Sequence, residues 1–200
     1  MKLLREYIRK ILSEGMKTIN DLPDGVNVEV TDHGYRTDFA LSSSYEKDRY
    51  HKPYGNISIE ELEEVGVCGN AWAIAMVSAD HGWGPFMYDI AIEWATMNHG
   101  GLISDRAEVS ADARGVWSYY LNNRPDVTAH QLDNRRNTLT PEPEDNCDQS
   151  IADDIGVYSW TDNEESIDDA DWVDSPLSKR YTKAPTTINA LKAAGKWDER

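Results

Sequence analysis

Cysteine is nearly absent. The 200 residues hold two, Cys68 and Cys147, far apart in the chain. Two cysteines so placed make neither a disulfide scaffold nor a zinc motif, and a reducing compartment is the simpler reading. Cys68, just before Gly69 and an apolar run, reads as a buried thiol, because sequence places no histidine beside it as a base. Basic residues are also scarce: 20 Lys and Arg stand against 36 Asp and Glu, a formal net charge of −16. General nucleic-acid binding needs the opposite sign, so that class is excluded. A basic partner or a cation fits better. No apolar run approaches the roughly 20 residues that span a bilayer. Charges interrupt every stretch that would serve as the core of a signal peptide.

About 40% of the residues are hydrophobic, enough for one domain of ordinary size with extensions. The acidity is local. Residues 137–178 carry 13 acidic side chains and no Lys or Arg. Their apolar residues are sparse, so the segment reads as a solvated extension lying over the domain and anchored by Trp160 and Trp172. A calcium loop is a weak alternative, since Asp169–Val173 misses the third ligand and the glycine of the EF-hand pattern. Mimicry of a nucleic-acid surface, engaging a basic partner, is another. The first 20 residues have the opposite sign, with five basic and two acidic groups. Leu3, Leu4, Tyr7, Ile8, Ile11 and Leu12 form one stripe at helical spacing. Such a basic amphipathic helix packs on its own domain, docks on a partner or lies on a membrane surface.

The spacing predicts a hairpin from Val26–Val30 and Arg36–Leu41 across a His33-Gly34 turn. Ser42–Gly55 reads as a loop and Asn56–Leu62 as a third strand, although Glu60–Glu64 could equally start a helix. Asn70–Ala79 suits a central strand covered on both faces. A helix is expected over Phe86–Asn98, with Pro85 opening it and Asp89 and Glu93 on its wet edge. Leu102–Ser104 is a short strand. Ser110 caps a second helix with Trp117 and Tyr120 on its apolar stripe. Pro125 ends it, and Asp126–Leu132 is the last strand of an α/β or mixed α+β domain. The boundaries follow: a helix over 1–20, the domain over 21–135, and an acidic extension with a short terminal helix over 136–200. Within that extension Lys179-Arg180-Tyr181 and the last helix, holding Ile188, Leu191, Lys192, Gly195 and Trp197, look like a tail returning to the domain.

The chemistry concentrates at Gly82-Trp83-Gly84-Pro85. A strand that turns on two glycines into a helix start offers free N–H groups and a positive dipole end to an anion. Neither the Walker nor the dinucleotide spacing is present. His33, His51, His81, His99 and His130 show no ligand spacing and no metal site is expected, although His81 sits beside the turn. Glu29, Asp38 and Glu60 lie on strands as candidate bases. Asp105-Arg106 reads as an ion pair after a strand.

Between Val26 and Leu132 the chain resembles the GNAT superfamily of acyl-coenzyme A-dependent N-acetyltransferases. Trp72–Ala79 matches the central strand, Gly82-Trp83-Gly84 the pyrophosphate turn, Phe86–Asn98 the helix after it, and Ser110–Leu121 the second helix. The resemblance implies an acetyl-CoA site at Val77, Gly82, Trp83, Gly84 and Phe86. The turn's amides would hold the pyrophosphate and the edge of the central strand would pair with the pantetheine arm. It implies direct attack of an amine on the thioester, with a tyrosine of the second helix protonating the thiolate. Trp117 stands at that tyrosine's position and Ala79 at the family's Gln or Arg, so Tyr119 and Tyr120 are the candidate acids. The runs Leu4–Arg9, Gly82–Pro85, Ser104–Arg106 and Ser175–Tyr181 resemble those of uncharacterised tailed-bacteriophage proteins. The two resemblances together imply a phage-encoded N-acetyltransferase in the host cytoplasm. The alternative is a non-catalytic virion part or host-protein binder on the same fold, meeting its partner through residues 1–20 or 137–178.

Overall fold

A computed structural model describes residues 16–43, 54–61, 66–105, 109–134, 137, 139–147 and 173–199. The expected N-terminal helix up to residue 15, His51, Arg106, Trp160, Trp172 and residues 169–172 of the EF-hand-like stretch fall outside these residues; within the described end of that expected helix, Ile19–Asp21 forms a single 3-10 turn. Among the described residues eight strands form one mixed sheet in the order β6-β7-β5-β4-β3-β2-β1-β8. They are β1 (Val26–Asp32), β2 (Arg36–Ser43), β3 (Gly55–Glu60), β4 (Trp72–Ala79), β5 (Leu102–Ile103), β6 (Val127–Gln131), β7 (Lys179–Lys183) and β8 (Trp197–Glu199). Among the described residues the α-helices are α1 (Gly84–Asn98), α2 (Ala111–Asn123) and α3 (Thr186–Ala193). None of these is long and apolar enough to cross a membrane. The fold divides into two compact units. The first takes the chain up to Glu60, Ile74–Trp94 and Pro185 onward; the second takes Glu61–Ala73 and Ala95–Ala184.

In the first unit the period-two alternation sets the sheet face. Val26, Val28 and Val30 of β1 are buried and their neighbours are not. Antiparallel register places Val28 opposite Leu41 and Val30 opposite Phe39, so the apolar rows coincide. β3 continues the row, with Phe39 opposite Ile57. The β1–β2 turn is built by Asp32, whose Oδ1 accepts the Gly34 N–H at 2.8 Å. Phe39 meets Trp94 of α1 edge-on at 5.8 Å, and Trp197 of β8 lies 6.3 Å from it. β8 pairs with β1 in parallel, Val28 opposite Trp197.

Glu93 was expected on the wet edge of α1. It is fully buried. Its carboxylate accepts the Thr186 hydroxyl at 3.1 Å and the N–H groups of Thr187 and Ile188 at 2.9 and 2.8 Å. Helix α3 starts after Pro185, which offers no side-chain cap. Glu93 thus supplies from another helix the acceptor that an N-cap residue ordinarily gives.

In the second unit Trp117 of α2 stacks on Tyr181 of β7 at 4.8 Å. The Tyr181 hydroxyl donates to the Pro176 carbonyl at 2.6 Å, which meets the need of a buried phenol. Ser110 caps α2 as expected, its Oγ accepting the Ala113 N–H at 3.2 Å. β6 and β7 pair antiparallel from Val127–Lys183 to Gln131–Lys179. The residues after 135 therefore contribute β7 and β8 to the sheet, besides α3; the terminal helix stops at Ala193, so Gly195, at φ +66°, lies beyond it and Trp197 is on β8 rather than on the helix. Within the acidic stretch Pro141–Glu144 are exposed as expected, but Cys147 and Ser175–Ser178 are buried.

The cysteine reading is corrected. Cys68 and Cys147 form a disulfide across 79 residues of sequence. Their separation hid the pairing: Gly66 and Cys147 form an isolated bridge, and the Cys68 N–H donates to the Asn146 carbonyl at 2.9 Å. These backbone contacts bring the two segments together. The bridge also removes the ground for inferring a reducing compartment from cysteine usage.

Candidate functional site at the start of α1

β4 carries the candidate site to its position in the first unit. Trp72, Ala73 and Ile74 are buried, but Met76 is 47% exposed and Val77 half-buried. The expectation of a strand covered along its whole length on both faces thus fails beyond Ile74. β5 has only two residues, pairing Trp72 with Leu102 and Ala73 with Ile103 in parallel. β4 continues for six residues past that register, to Ala79.

The chain then turns. The Asp80 N–H donates to the Tyr54 carbonyl at 2.8 Å, and the Trp83 N–H to the Asp80 carbonyl at 3.0 Å. Gly82 has φ +87°, a left-handed conformation that disfavours any side chain. Helix α1 begins at Gly84, two residues earlier than the sequence suggested, so Pro85 sits second. Its missing N–H costs nothing there, because first-turn donors have no intrahelical partner. The Trp83 carbonyl accepts the Met87 N–H at 3.0 Å and closes the first turn.

Gly84 differs in kind from Gly82. It needs no positive φ, and among the described residues a Cβ built on it would meet no atom within 4 Å. Neither backbone conformation nor internal packing accounts for glycine there. Open space beside first-turn amides is the geometry that close approach of an anionic group requires. Trp83 is not part of that opening. Its ring is buried and meets Phe86 edge-on at 5.5 Å. Its Nε1 is buried without a hydrogen-bond partner. Trp83 and Phe86 therefore hold the turn from inside.

Sequence reasoning missed Lys17. Its N–H donates to the Gly82 carbonyl at 3.1 Å. Its ammonium stands 4.8 Å from the centre of the Trp83 ring, a cation–π contact. It lies 65 positions before Gly82, and no local pattern announces the pairing. His81 is exposed beside the turn.

The other candidates are occupied by structural work. Asp38 takes Arg36 Nε at 2.9 Å and His33 Nε2 at 3.3 Å. Glu60 lies 3.9 Å from the same guanidinium. Glu29 is half-buried on β1. Tyr119 and Tyr120 belong to the second unit. Tyr120 is buried, 6.4 Å from Trp117, with the Arg124 guanidinium 5.0 Å over its ring. Tyr119 is half-buried and meets Tyr120 edge-on at 6.0 Å. His99 stacks on Trp72 at 4.0 Å. His130 Nε2 lies 3.0 Å from the Thr182 hydroxyl. Burial, and secondarily the charge of Arg180, holds the His130 pKa below its usual value. Among the described residues no group of three or more His, Cys, Asp and Glu is arranged to hold a metal ion. Comparison with family models, with curated proteins and with solved structures gives no match.

Proposed function

We propose that this chain is a GNAT-like, acetyl-CoA-dependent N-acyltransferase that transfers an acyl group to an amine. One observation carries the reading: β4 leads through a left-handed Gly82 into a helix whose first residue, Gly84, faces open space. The N–H groups of Gly82, Gly84 and Phe86 would hold the pyrophosphate, helped by the positive end of α1, while Trp83, whose N–H is given to the Asp80 carbonyl, would shape the turn from inside. Val77 and the length of β4 beyond the β5 register support backbone pairing with an extended arm. Acetyl-CoA would supply the activated thioester. Tyr119, half-buried rather than locked in the core, is the better acid of the two tyrosines.

A second reading keeps the fold and drops the catalysis: a phage structural or host-protein-binding protein, in the virion or the host cytoplasm. The core role of Trp117, stacked on Tyr181 where the family keeps its acid, favours it. The disulfide favours its virion form, because it suits an oxidising medium better than the cytoplasm where acetyl-CoA is abundant.

Calorimetric titration with acetyl-CoA, paired with tryptophan fluorescence, separates the two. The acyltransferase reading expects micromolar binding that Gly84→Asp weakens by about 100-fold, through both its bulk and its charge. No binding at millimolar ligand would sink that reading and direct the search to a protein partner by pull-down.

A further inference from the structure

The second unit carries a covalent tie that the acyltransferase reading does not use. Cys68 and Cys147 are 2% and 1% exposed and pack in an apolar cluster with Ala73, Ile103 and Leu132. On one side of the bridge lies a tight turn, left-handed at Gly66, Cys68, Gly69 and Asn70. Two of these four carry side chains in a region that disfavours them. The turn ends two residues before β4 begins.

On the other side lies the segment 139–147. Its sole buried residue is Cys147; Leu139 and Thr140 are half-buried and Pro141–Glu144 are exposed. It carries Glu142, Glu144 and Asp145 and no basic residue. Its remaining ties are polar, and two of them reach the turn itself: the Cys68 N–H to the Asn146 carbonyl at 2.9 Å and the isolated bridge between Gly66 and Cys147. The buried Asp133 carboxylate accepts the N–H groups of Leu139 and Thr140 at 2.9 and 2.8 Å. The Asp133 N–H donates to the Asp145 carbonyl at 3.1 Å, and the Cys147 N–H to the Asp133 carbonyl at 2.9 Å. Apolar burial, the main source of stability elsewhere in the fold, anchors this segment only at the bridge itself.

We infer that the Cys68–Cys147 pair is a redox-sensitive fastener. Oxidised, it binds the 139–147 segment to the 66–70 turn. Reduced, it releases that segment and relaxes the turn before β4, while the first unit stays folded. The reaction is thiol–disulfide exchange with a dithiol reductant. One thiolate attacks a bridge sulfur, the S–S bond breaks and a mixed disulfide forms. The reductant's second thiol then closes its own disulfide and leaves two cysteine thiols. Two electrons and two protons pass to the pair. Because both sulfurs are buried, the reductant reaches them only when the segment opens locally.

Hydrogen–deuterium exchange on the full chain, before and after dithiothreitol, tests this, with iodoacetamide labelling to count thiols. Oxidised protein should take up no label and reduced protein should label at both cysteines. Reduction should speed exchange at the Leu139, Thr140 and Cys147 amides by about tenfold or more and leave 26–43 unchanged. Cys68→Ser/Cys147→Ser should show the loosened pattern without reductant. Should that variant not fold, reduction of the folded wild type still decides. Unchanged exchange over 133–147 after both thiols label would overturn the inference, because the polar ties would then suffice. Faster exchange over 26–43 would also overturn it, because the bridge would then hold the whole chain.

Discussion

Glu93 offers the sharpest test of how the first unit is held. It is fully buried, and Oε1 takes the Thr186 hydroxyl and the Thr187 N–H while Oε2 takes the Ile188 N–H. Glu93→Ala removes both acceptor oxygens and with them three hydrogen bonds. Loss of the hydrogen bond from the Thr186 hydroxyl costs about 1 kcal/mol. Here two amides are also left bare next to the buried Ile188, at about 1 kcal/mol each or more. The expected loss is about 3 kcal/mol, or roughly 10 °C in Tm for a chain of this size. Glu93→Gln keeps the shape and one carbonyl oxygen, and should lose about half as much. Urea unfolding followed by tryptophan fluorescence measures both, and amide exchange at Thr187 and Ile188 locates the effect. A loss below about 1 kcal/mol in Glu93→Ala, with those amides as protected as before, would refute the cross-helix cap.

Three further outcomes follow from the contacts described. Gly100→Ala would drive a methyl group into the Gly69 carbonyl, so it should cost at least about 3 kcal/mol or prevent soluble expression, read by chemical denaturation. Trp197→Ala removes the ring beside Phe39 and the contact with Lys192 Nζ, 5.5 Å from that ring; a loss of about 2 kcal/mol is expected by thermal unfolding. His130 has its pKa lowered in the fold, so below its unfolded value the unfolded chain binds more protons than the native one. Stability should fall as pH drops below about 6.5. A His130→Gln variant should show a shallower slope there in denaturation curves taken from pH 5 to 8.

Much of the sheet was legible because strands announce themselves by period two. Val26, Val28 and Val30 gave β1 its inward face, and Arg36–Leu41 fell on β2 with the register that the Asp32–Gly34 turn imposes. Ser110 was legible as a cap by residue type and position. What escaped was long-range. Glu93 looks solvent-facing because a carboxylate in a helix ordinarily is, and its partners lie over 90 residues further on. Cys68 and Cys147 share no local pattern, so their count misled more than their positions could inform. At the candidate site the two glycines were visible, but not their different reasons. Gly82 answers to backbone conformation, whereas Gly84 answers to nothing inside the chain.

The placement of β7 between β5 and β6 has a consequence for synthesis. When β5 and β6 leave the ribosome, the strand that separates them does not yet exist. Leu102 must wait for Tyr181, and in the other unit Val28 must wait for Trp197. Neither unit can finish its sheet in the order in which it is made. Each nascent half carries an unfilled strand position that wrong partners can occupy. The high sequence separation of these pairings also makes for slow folding. The chain should therefore depend on chaperone protection until residues 179–199 have emerged.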